Sequence, residues 1–359
     1  MSIHFHKLII KEIKKETQDC VSVLFDIPEQ LKKEFQFTQG QSLTMRANVN
    51  GEELRRTYSL CSSPIDNEWR VAIKKVEGGL FSVFANENLK TGDLLDVMEP
   101  VGKFYTELNP SNKKNYLAFA AGSGITPVLS IIKTTLIAEP QSSFTLVYGN
   151  RSRASILFFE ELEGLKNKFI SRFNLINILS RERTEASLNF GRIKSEKLNE
   201  LNKLIDFAAI DETFLCGPEE MIFCVKSFLE TQGVSEKKIH FELFTSSTPK
   251  KTRYKKQETK KETEAQCLIT VKVDGRSFEF NLSLNSDTTI LDAALKQGAD
   301  LPYACKGGMC CTCKAKLLEG EVEMDVHWGL EHEEIEKGFI LTCQSHPKTE
   351  RVIVDFDIK

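Results

Sequence analysis

Four cysteines near the carboxyl end are spaced for metal chemistry. Cys305-x4-Cys310-x2-Cys313 lies in one glycine-containing loop, and Cys343 follows thirty residues later. That spacing suits a [2Fe–2S] cluster, whose irons are held by four thiolates. A zinc site usually pairs its cysteines as two CxxC knuckles, and the four-residue first gap departs from that pattern. A disulfide framework suits short secreted chains, unlike this one of 359 residues. Gly307 and Gly308 carry no Cβ and are expected to let the loop wrap close to the inorganic core. Counting Cys311 as a ligand would turn the gaps into five and one, so it is expected to be a free thiol beside the site. A cluster of this kind moves electrons singly, and the rest of the chain must hold their source.

Composition sets the frame for that search. With 41% hydrophobic and 28% charged residues, the chain is an ordinary globular sequence long enough for two or three domains. The net charge of −3 gives no overall field for nucleic acid. Met1 to Glu16 lacks the apolar core of a signal peptide, and no apolar run reaches membrane-spanning length. Ten cysteines without a secretion signal suggest a reducing compartment, so a cytoplasmic location and no membrane partner are expected. The six histidines show no HxxxH or HExxH pairing and are expected at the surface or in packing.

Residues 1–108 carry short alternating runs such as Val21–Phe25, Ser42–Arg46 and Arg70–Lys74, separated by Gly, Pro, Asn and Asp. That rhythm predicts an antiparallel β-barrel or sandwich. Arg56-Thr57-Tyr58-Ser59 falls at a strand end. There an arginine offers a fork for a pyrophosphate, and a tyrosine two residues on, sharing its face, can cover an aromatic ring. Taken alone, the same string also describes an exposed arginine beside a core tyrosine. Gly78-Gly79 runs into a helix-like segment, Leu80-Phe81-Ser82-Val83-Phe84-Ala85, leaving backbone N–H groups open to an anion.

From about 112 to 244 the pattern changes to alternating strands and helices. Tyr116–Ala121 is a continuous apolar run, as in a buried parallel strand. Gly122-Ser123-Gly124-Ile125-Thr126-Pro127 follows, with Thr126 as the expected N-cap and Pro127 as the first helical residue. The turn therefore aims a helix N-terminus at an anion, most simply a nucleotide phosphate; a tight strand–helix turn without a ligand is the plain alternative. Pro127 stands where the dinucleotide fingerprint has its third glycine. Three more strand ends follow, at Asn150, Ser180 and Pro218, and ligands in open α/β sheets gather at such ends. Residues 245–264 are basic and polar and predict a flexible tether. From 265 to 359 the pattern is a hairpin across Asp274-Gly275, a helix starting at Ser286 or Asp287 with Ile290, Leu291, Ala294 and Leu295 inward, the cysteine loop, a strand over Thr312–Leu318, and a closing strand over Arg351–Phe356. That order predicts a β-grasp ferredoxin domain, with Cys267 as a packed thiol.

Arg56-Thr57-Tyr58-Ser59, Gly78-Gly79-Leu80-Phe81-Ser82, Pro100-Val101-Gly102-Lys103-Phe104, the Gly-x-Gly-x-Thr-Pro turn and Cys216-Gly217-Pro218-Glu219-Glu220-Met221 together resemble the ferredoxin–NADP⁺ reductase superfamily. The module order resembles its oxygenase-reductase type with a C-terminal ferredoxin, and within it the reductase subunits of phenylacetyl-CoA epoxidases. The resemblance implies a flavin barrel at 1–108, a nicotinamide domain at 112–244 and a ferredoxin domain at 265–359. It implies FAD held by Arg56 on the pyrophosphate, Thr57, Tyr58 against the ring, Ser59 near N5, and a phosphate cradle of Gly79, Leu80, Phe81 and Ser82. Gly122, Ser123, Gly124, Thr126 and Pro127 would line the nicotinamide cofactor, with Cys216, Gly217 and Pro218 near its ring; Ser59 and Cys216 are the catalytic candidates. Ser180 and Arg181 sit where a 2′-phosphate would lie, with Arg151 and Arg153 to assist. NADP is therefore expected over NAD, although Glu182 lies next door. Phe244 would pack on the flavin or in the core. The implied route is NADPH to FAD to cluster to an oxygenase; a reductase of another oxygenase or hydroxylase, and a redox sensor or carrier, are the alternatives.

Overall fold

The computed structural model describes residues 4–244 and 265–358. They form two compact units, one of His6–Phe244 and one of the residues from 265 onward together with His4 and Phe5. The predicted tether at 245–264 lies outside the described residues.

In the first unit, β1 (His6–Thr17), β2 (Cys20–Asp26), β3 (Ser42–Val49), β4 (Glu52–Ser59), β5 (Trp69–Lys74) and β6 (Leu94–Val97) form one antiparallel sheet in the order β4-β3-β6-β1-β2-β5. Its two outer strands meet where Leu60 bridges Val71 and the Cys61 N–H bonds the Arg70 carbonyl (2.8 Å), which curls the sheet into the expected barrel. Leu8, Ile10, Val23, Leu43, Met45, Val71 and Val97 alternate inward along their strands and fill it. Helix α1 (Leu80–Glu87) packs Phe81 and Ala85 into that core.

The same unit holds a parallel sheet in the order β11-β10-β7-β8-β9. It comprises β7 (Asn115–Ala121), β8 (Ser143–Asn150), β9 (Phe173–Leu179), β10 (Glu212–Gly217) and β11 (Ile239–Leu243). Helices α2 (Ile125–Ala138), α3 (Phe159–Lys168), α4 (Ser195–Leu201) and α5 (Glu219–Thr231) connect the strands. The central strands are buried on both faces, which explains the unbroken apolar run in β7. Barrel and sheet are tied by Ser63 Oγ to Thr134 Oγ1 (2.9 Å) and by Lys133 to Asp66 (2.6 Å).

The second unit is a mixed sheet in the order β13-β12-β18-β14-β16. Its strands are β12 (Gln266–Val273), β13 (Arg276–Ser283), β14 (Lys314–Glu319), β16 (Phe339–Leu341) and β18 (Arg351–Asp355), with β15 (Val322–Met324) pairing β17 (Ser345–Pro347) apart from it. Helices α6 (Ile290–Lys296) and α7 (His332–Glu336) complete it. Asp274 and Gly275 both take positive φ (49° and 69°), as a two-residue hairpin turn requires. Cys267 is fully buried in the core, as expected.

Two predicted boundaries move. Helix α6 begins at Ile290, capped by the Thr289 hydroxyl accepting from the Asp292 N–H (3.2 Å), and not at Ser286 or Asp287. The Ser286 hydroxyl instead accepts from the Thr288 N–H (3.0 Å) and holds a turn. The strand after the cysteine loop starts at Lys314, because Cys311 adopts φ 55° and the chain is still turning there.

Candidate active site and cluster cage

The carboxyl end of the parallel sheet is shaped by its glycine turn. Residues Gly122–Gly124 wind as a short 3₁₀ turn directly into α2, so Gly124 is the N-cap. Thr126 is therefore not the cap; it lies inside the first turn and donates its hydroxyl proton to the Ser123 carbonyl (3.0 Å). Pro127 still falls in that first turn, where its missing N–H removes no helical bond. A Cβ on Gly124 would come 2.2 Å from the Cys216 carbonyl oxygen, so only glycine lets this turn lie against the end of β10. Buried Tyr148 secures the turn from beneath by donating to the Gly122 carbonyl (2.9 Å).

The helix N-termini differ in a way that sorts them. α3, α4, α5, α6 and α7 each carry Asp or Glu in the first turn, whereas α1 and α2 carry none and start after glycine. An internal carboxylate answers the positive end of a helix. α1 and α2 lack that answer, so no side-chain carboxylate of their own first turns competes for their positive ends. They are the helices following the two glycine turns marked in the sequence. Pro218 caps α5, but Glu219 and Glu220 occupy its first turn.

On the barrel side, Arg56 is exposed at the end of β4, and its guanidinium donates to the Arg55 carbonyl (2.8 Å). Arg55 is paired with Glu53 (3.0 Å), whereas no carboxylate among the described residues pairs with Arg56. Tyr58 leans on buried Phe81 (ring centroids 5.8 Å apart), and burial raises its phenol pKa well above the usual value. Phe81 thus supports Tyr58 from the core, while Leu80 is exposed. Thr57 pairs across the strands with Thr44 (3.0 Å). The Ser82 hydroxyl accepts from the Val76 N–H and donates to the Gly79 carbonyl (both 3.1 Å), so it braces the glycine turn from within.

Barrel and sheet converge at Ser59. This buried serine donates to the Glu242 carboxylate (3.4 Å), and Glu242 is the register partner of Cys216 across the parallel β10–β11 pair. The Cys216 thiol is fully enclosed, and burial first, then the charge of Glu242, push its pKa far up and keep it neutral. Glu242 was not anticipated from the sequence. The one available signal was a carboxylate near the carboxyl end of a strand that continues an α/β pattern. Phe244 is 42% exposed, which removes the reading of it as a core residue. At the next strand end, the Ser180 and Arg181 N–H groups bond the Asn150 and Arg151 carbonyls (2.9 and 2.8 Å), and the Glu182 carboxylate accepts from the Arg153 N–H (2.8 Å).

In the second unit the four predicted thiols form two contacting pairs, Cys305 with Cys310 and Cys313 with Cys343. The Gly307 and Cys310 N–H groups point at the Cys305 sulfur (3.3 and 3.5 Å), and the Cys305 N–H at the Cys310 sulfur (3.4 Å). The Cys310 thiol first, and then these N–H donors, hold Cys305 down to about 5 against the opposing effect of burial. The neighbouring thiol first, and then burial, push Cys310 and Cys313 well up in turn, so the feature of the cage that suits a [2Fe–2S] cluster is the set of N–H groups aimed at the Cys305 and Cys310 sulfurs. One expectation is corrected. Gly308 takes φ 76°, and its missing Cβ makes room for Val326 (2.7 Å) and the Gln344 side chain (3.3 Å) on the protein side, not for the inorganic core. Cys311 turns its thiol to the Gly329 carbonyl (2.7 Å) and ties the loop down. None of the ten cysteines is in a disulfide.

Residues 7–105 match the oxidoreductase FAD-binding domain family, 119–227 the oxidoreductase NAD-binding domain family, and 271–348 the 2Fe-2S iron-sulfur cluster binding domain family. Over 99% of its length the chain is 46% identical to a component of the 1,2-phenylacetyl-CoA epoxidase of Escherichia coli (strain K12), covering 98% of that protein. The chain belongs to the oxygenase-reductase family. Two more members of this family are similar along nearly their whole length. One is the ferredoxin reductase component of 3-ketosteroid-9-alpha-monooxygenase from Rhodococcus rhodochrous, at 32% identity over 97% of this chain and 96% of that one. The other is the glycine betaine monooxygenase reductase subunit of Pseudomonas aeruginosa (strain UCBPP-PA14), at 30% over 98% and 95%. The fold of this oxygenase reductase is also that of phthalate dioxygenase reductase (TM-score 0.58, 24% identity, 98% of both chains). No helix among its described residues is long and apolar enough to cross a membrane.

Proposed function

We propose that this oxidoreductase takes a hydride from NADPH onto bound FAD and passes the electrons through a [2Fe–2S] cluster on Cys305, Cys310, Cys313 and Cys343 to an oxygenase, the phenylacetyl-CoA epoxidase. When bound, the flavin accepts an electron pair and the cluster accepts one electron at a time. The chain's own residues do the rest. The N-terminus of α1, together with Gly79 and Arg56, whose guanidinium meets no carboxylate among the described residues, takes the flavin pyrophosphate. Tyr58 covers the ring from its perch on Phe81. The bare N-terminus of α2, with Gly122, Ser123, Gly124, Thr126 and Pro127, takes the nicotinamide dinucleotide phosphates. Glu242 accepts from the Ser59 hydroxyl, which would leave the serine oxygen as an acceptor on the flavin N5 side, and neutral Cys216, with Gly217 and Pro218, would wall the nicotinamide side. The observation that carries this reading is the meeting of Ser59, Glu242 and Cys216 at the sheet end where α2 starts.

The preference for NADPH rests on Ser180, Arg181 and Arg151. One oxygen of the acidic neighbour, Glu182, accepts from the Arg153 N–H. Anaerobic mixing of the purified protein with each nucleotide tests this. Faster flavin bleaching and a lower KM with NADPH are expected, and R181A should erase the difference; equal KM values in the parent protein would refute the NADP assignment. The partner assignment rests on the 46% identity to the Escherichia coli epoxidase component. Reconstitution with the epoxidase oxygenase component should support turnover, whereas coupling only to a ring or steroid oxygenase would move the protein to the alternative represented by its 32% identical relative.

A further inference from the structure

Directly after the fourth cysteine stands Gln344, a polar residue with no exposed surface. Its backbone is fixed on both sides: the N–H donates to the Leu341 carbonyl and the C=O accepts from the Asp325 N–H (both 2.9 Å). Its side-chain nitrogen reaches back across the cage. It lies 2.8 Å from the Lys306 carbonyl, 3.0 Å from the Cys343 carbonyl and 3.7 Å from the Cys343 sulfur. Its two hydrogens serve the two carbonyls, so the sulfur contact is the longer, shared arm of one of those bonds, and among the described residues the amide oxygen is left buried with no hydrogen-bond partner. A leucine of similar size would fill the space without stranding an acceptor. What only the amide supplies is an N–H shared between the Cys343 carbonyl and the sulfur of that proposed ligand. Gly308 borders this side chain: a Cβ there would meet Val326 first (2.7 Å) and then the Gln344 Cγ (3.3 Å).

We propose that Gln344 is a positioning residue for the cluster, clamping the cysteine loop through the Lys306 carbonyl and raising the reduction potential through its N–H toward the Cys343 sulfur. This inference rests on the cluster assignment above. One-electron reduction adds a negative charge that is shared by the thiolate sulfurs. A donor dipole at a buried sulfur stabilises the more negative form more than the less negative one. Gln344 therefore makes the cluster a better acceptor of electrons from the flavin.

The test is a redox titration, followed by EPR, of full-length Q344L beside the parent protein, with iron and sulfide content measured in both. Q344L should shift the cluster's one-electron equilibrium about tenfold toward the oxidised form, about 59 mV more negative, while flavin bleaching by NADPH keeps its rate. A merely space-filling role would lower cluster content and leave the potential of the loaded fraction at the parent value; that result overturns the proposal. A second measurement holds even if Q344L fails to load. In parent protein carrying ¹⁵N at glutamine side-chain amides, pulsed EPR of the reduced cluster should show one coupled ¹⁵N, and its absence overturns the proposal. Parent protein free of iron and sulfide would instead overturn the cluster assignment itself.

Discussion

Three of the four thiols of the cluster cage come from a single loop, Cys305 to Cys313, whereas Ser59 and Glu242 of the hydride corner stand 183 residues apart. The cage carries its own environment: N–H groups of the loop point at loop sulfurs, and one returning segment brings Cys343 with Gln344. The corner borrows everything. It needs barrel strand β4 to reach the end of β11, and it needs a glycine turn to press against β10. A local cage should fail through loss of a ligand and a long-range corner through small displacements. The two should also fail separately, because they lie in different compact units.

The sharpest separation should come from Cys310→Ser. Losing a ligand should cut NADPH-driven reduction of cytochrome c by more than about 100-fold, beyond the 10–100-fold typical of supporting residues around a metal. Flavin bleaching by NADPH in the same sample should be unchanged. Cytochrome c reduction at the parent rate would mean that electrons bypass the cage. Gly124→Ala tests the other side. Its Cβ would sit 2.2 Å from the Cys216 carbonyl oxygen, and the turn must move away. A displacement near 1 Å at a hydride-transfer geometry costs about 100-fold. Single-turnover flavin reduction should fall by that much while the cluster's EPR spectrum stays as in the parent. If both signals change together, the two regions are not independent.

Ser59→Ala should have a smaller effect. It removes one hydrogen bond of 3.4 Å and leaves the backbone in place. A bond worth about 1–1.5 kcal/mol predicts a roughly 10-fold slower hydride transfer. Glu242→Gln keeps an acceptor for the Ser59 hydroxyl and should lie between the parent and Ser59→Ala. A glutamine variant slower than the alanine variant would show that the carboxylate charge, and not the orientation of Ser59, matters at the corner.

The same contrast explains what could be seen in the sequence. Cluster ligands follow one another at characteristic gaps, so the proposed ligands Cys305, Cys310, Cys313 and Cys343 stand out unaided. The three-module order also shows, because the hydrophobic period changes from alternation to βα units and back. Glu242 carries no such mark. Its meaning depends on its register with Cys216 and on a strand nearly two hundred residues earlier. Thr126 misled because cap preference describes where a helix could begin, while here the glycines themselves wind into a 3₁₀ turn and start it earlier. Ser286 misled for a related reason: its hydroxyl is as well satisfied by a turn as by a cap. Gly308 stands out in the sequence, but the groups that need its missing Cβ, Val326 first and then Gln344, meet it only in the folded loop.

The mildest perturbation concerns how the two halves of the first unit are held in line. Glu139 is fully buried after α2. One oxygen accepts from the Asn109 N–H (3.0 Å) and the Asn112 side chain (2.6 Å), in the stretch joining barrel to sheet. The other accepts from the Tyr116 hydroxyl (3.0 Å) and the Ser142 hydroxyl (2.7 Å). Glu139→Gln keeps an oxygen for the two asparagine donors. It then turns an amide N–H₂ toward the two hydroxyls, which can rotate to accept. Four bonds are thus kept with one change of direction. The expected cost is about 1–2 kcal/mol in unfolding of the His6–Phe244 unit, the difference between a charged and a neutral acceptor. Hydride transfer should change less than about twofold, because Ser59, Cys216 and Glu242 keep their places. Denaturant unfolding followed by flavin fluorescence, beside single-turnover bleaching, measures both. A large loss of rate with little loss of stability would make Glu139 part of the corner's geometry and extend the long-range site back to the connection between barrel and sheet.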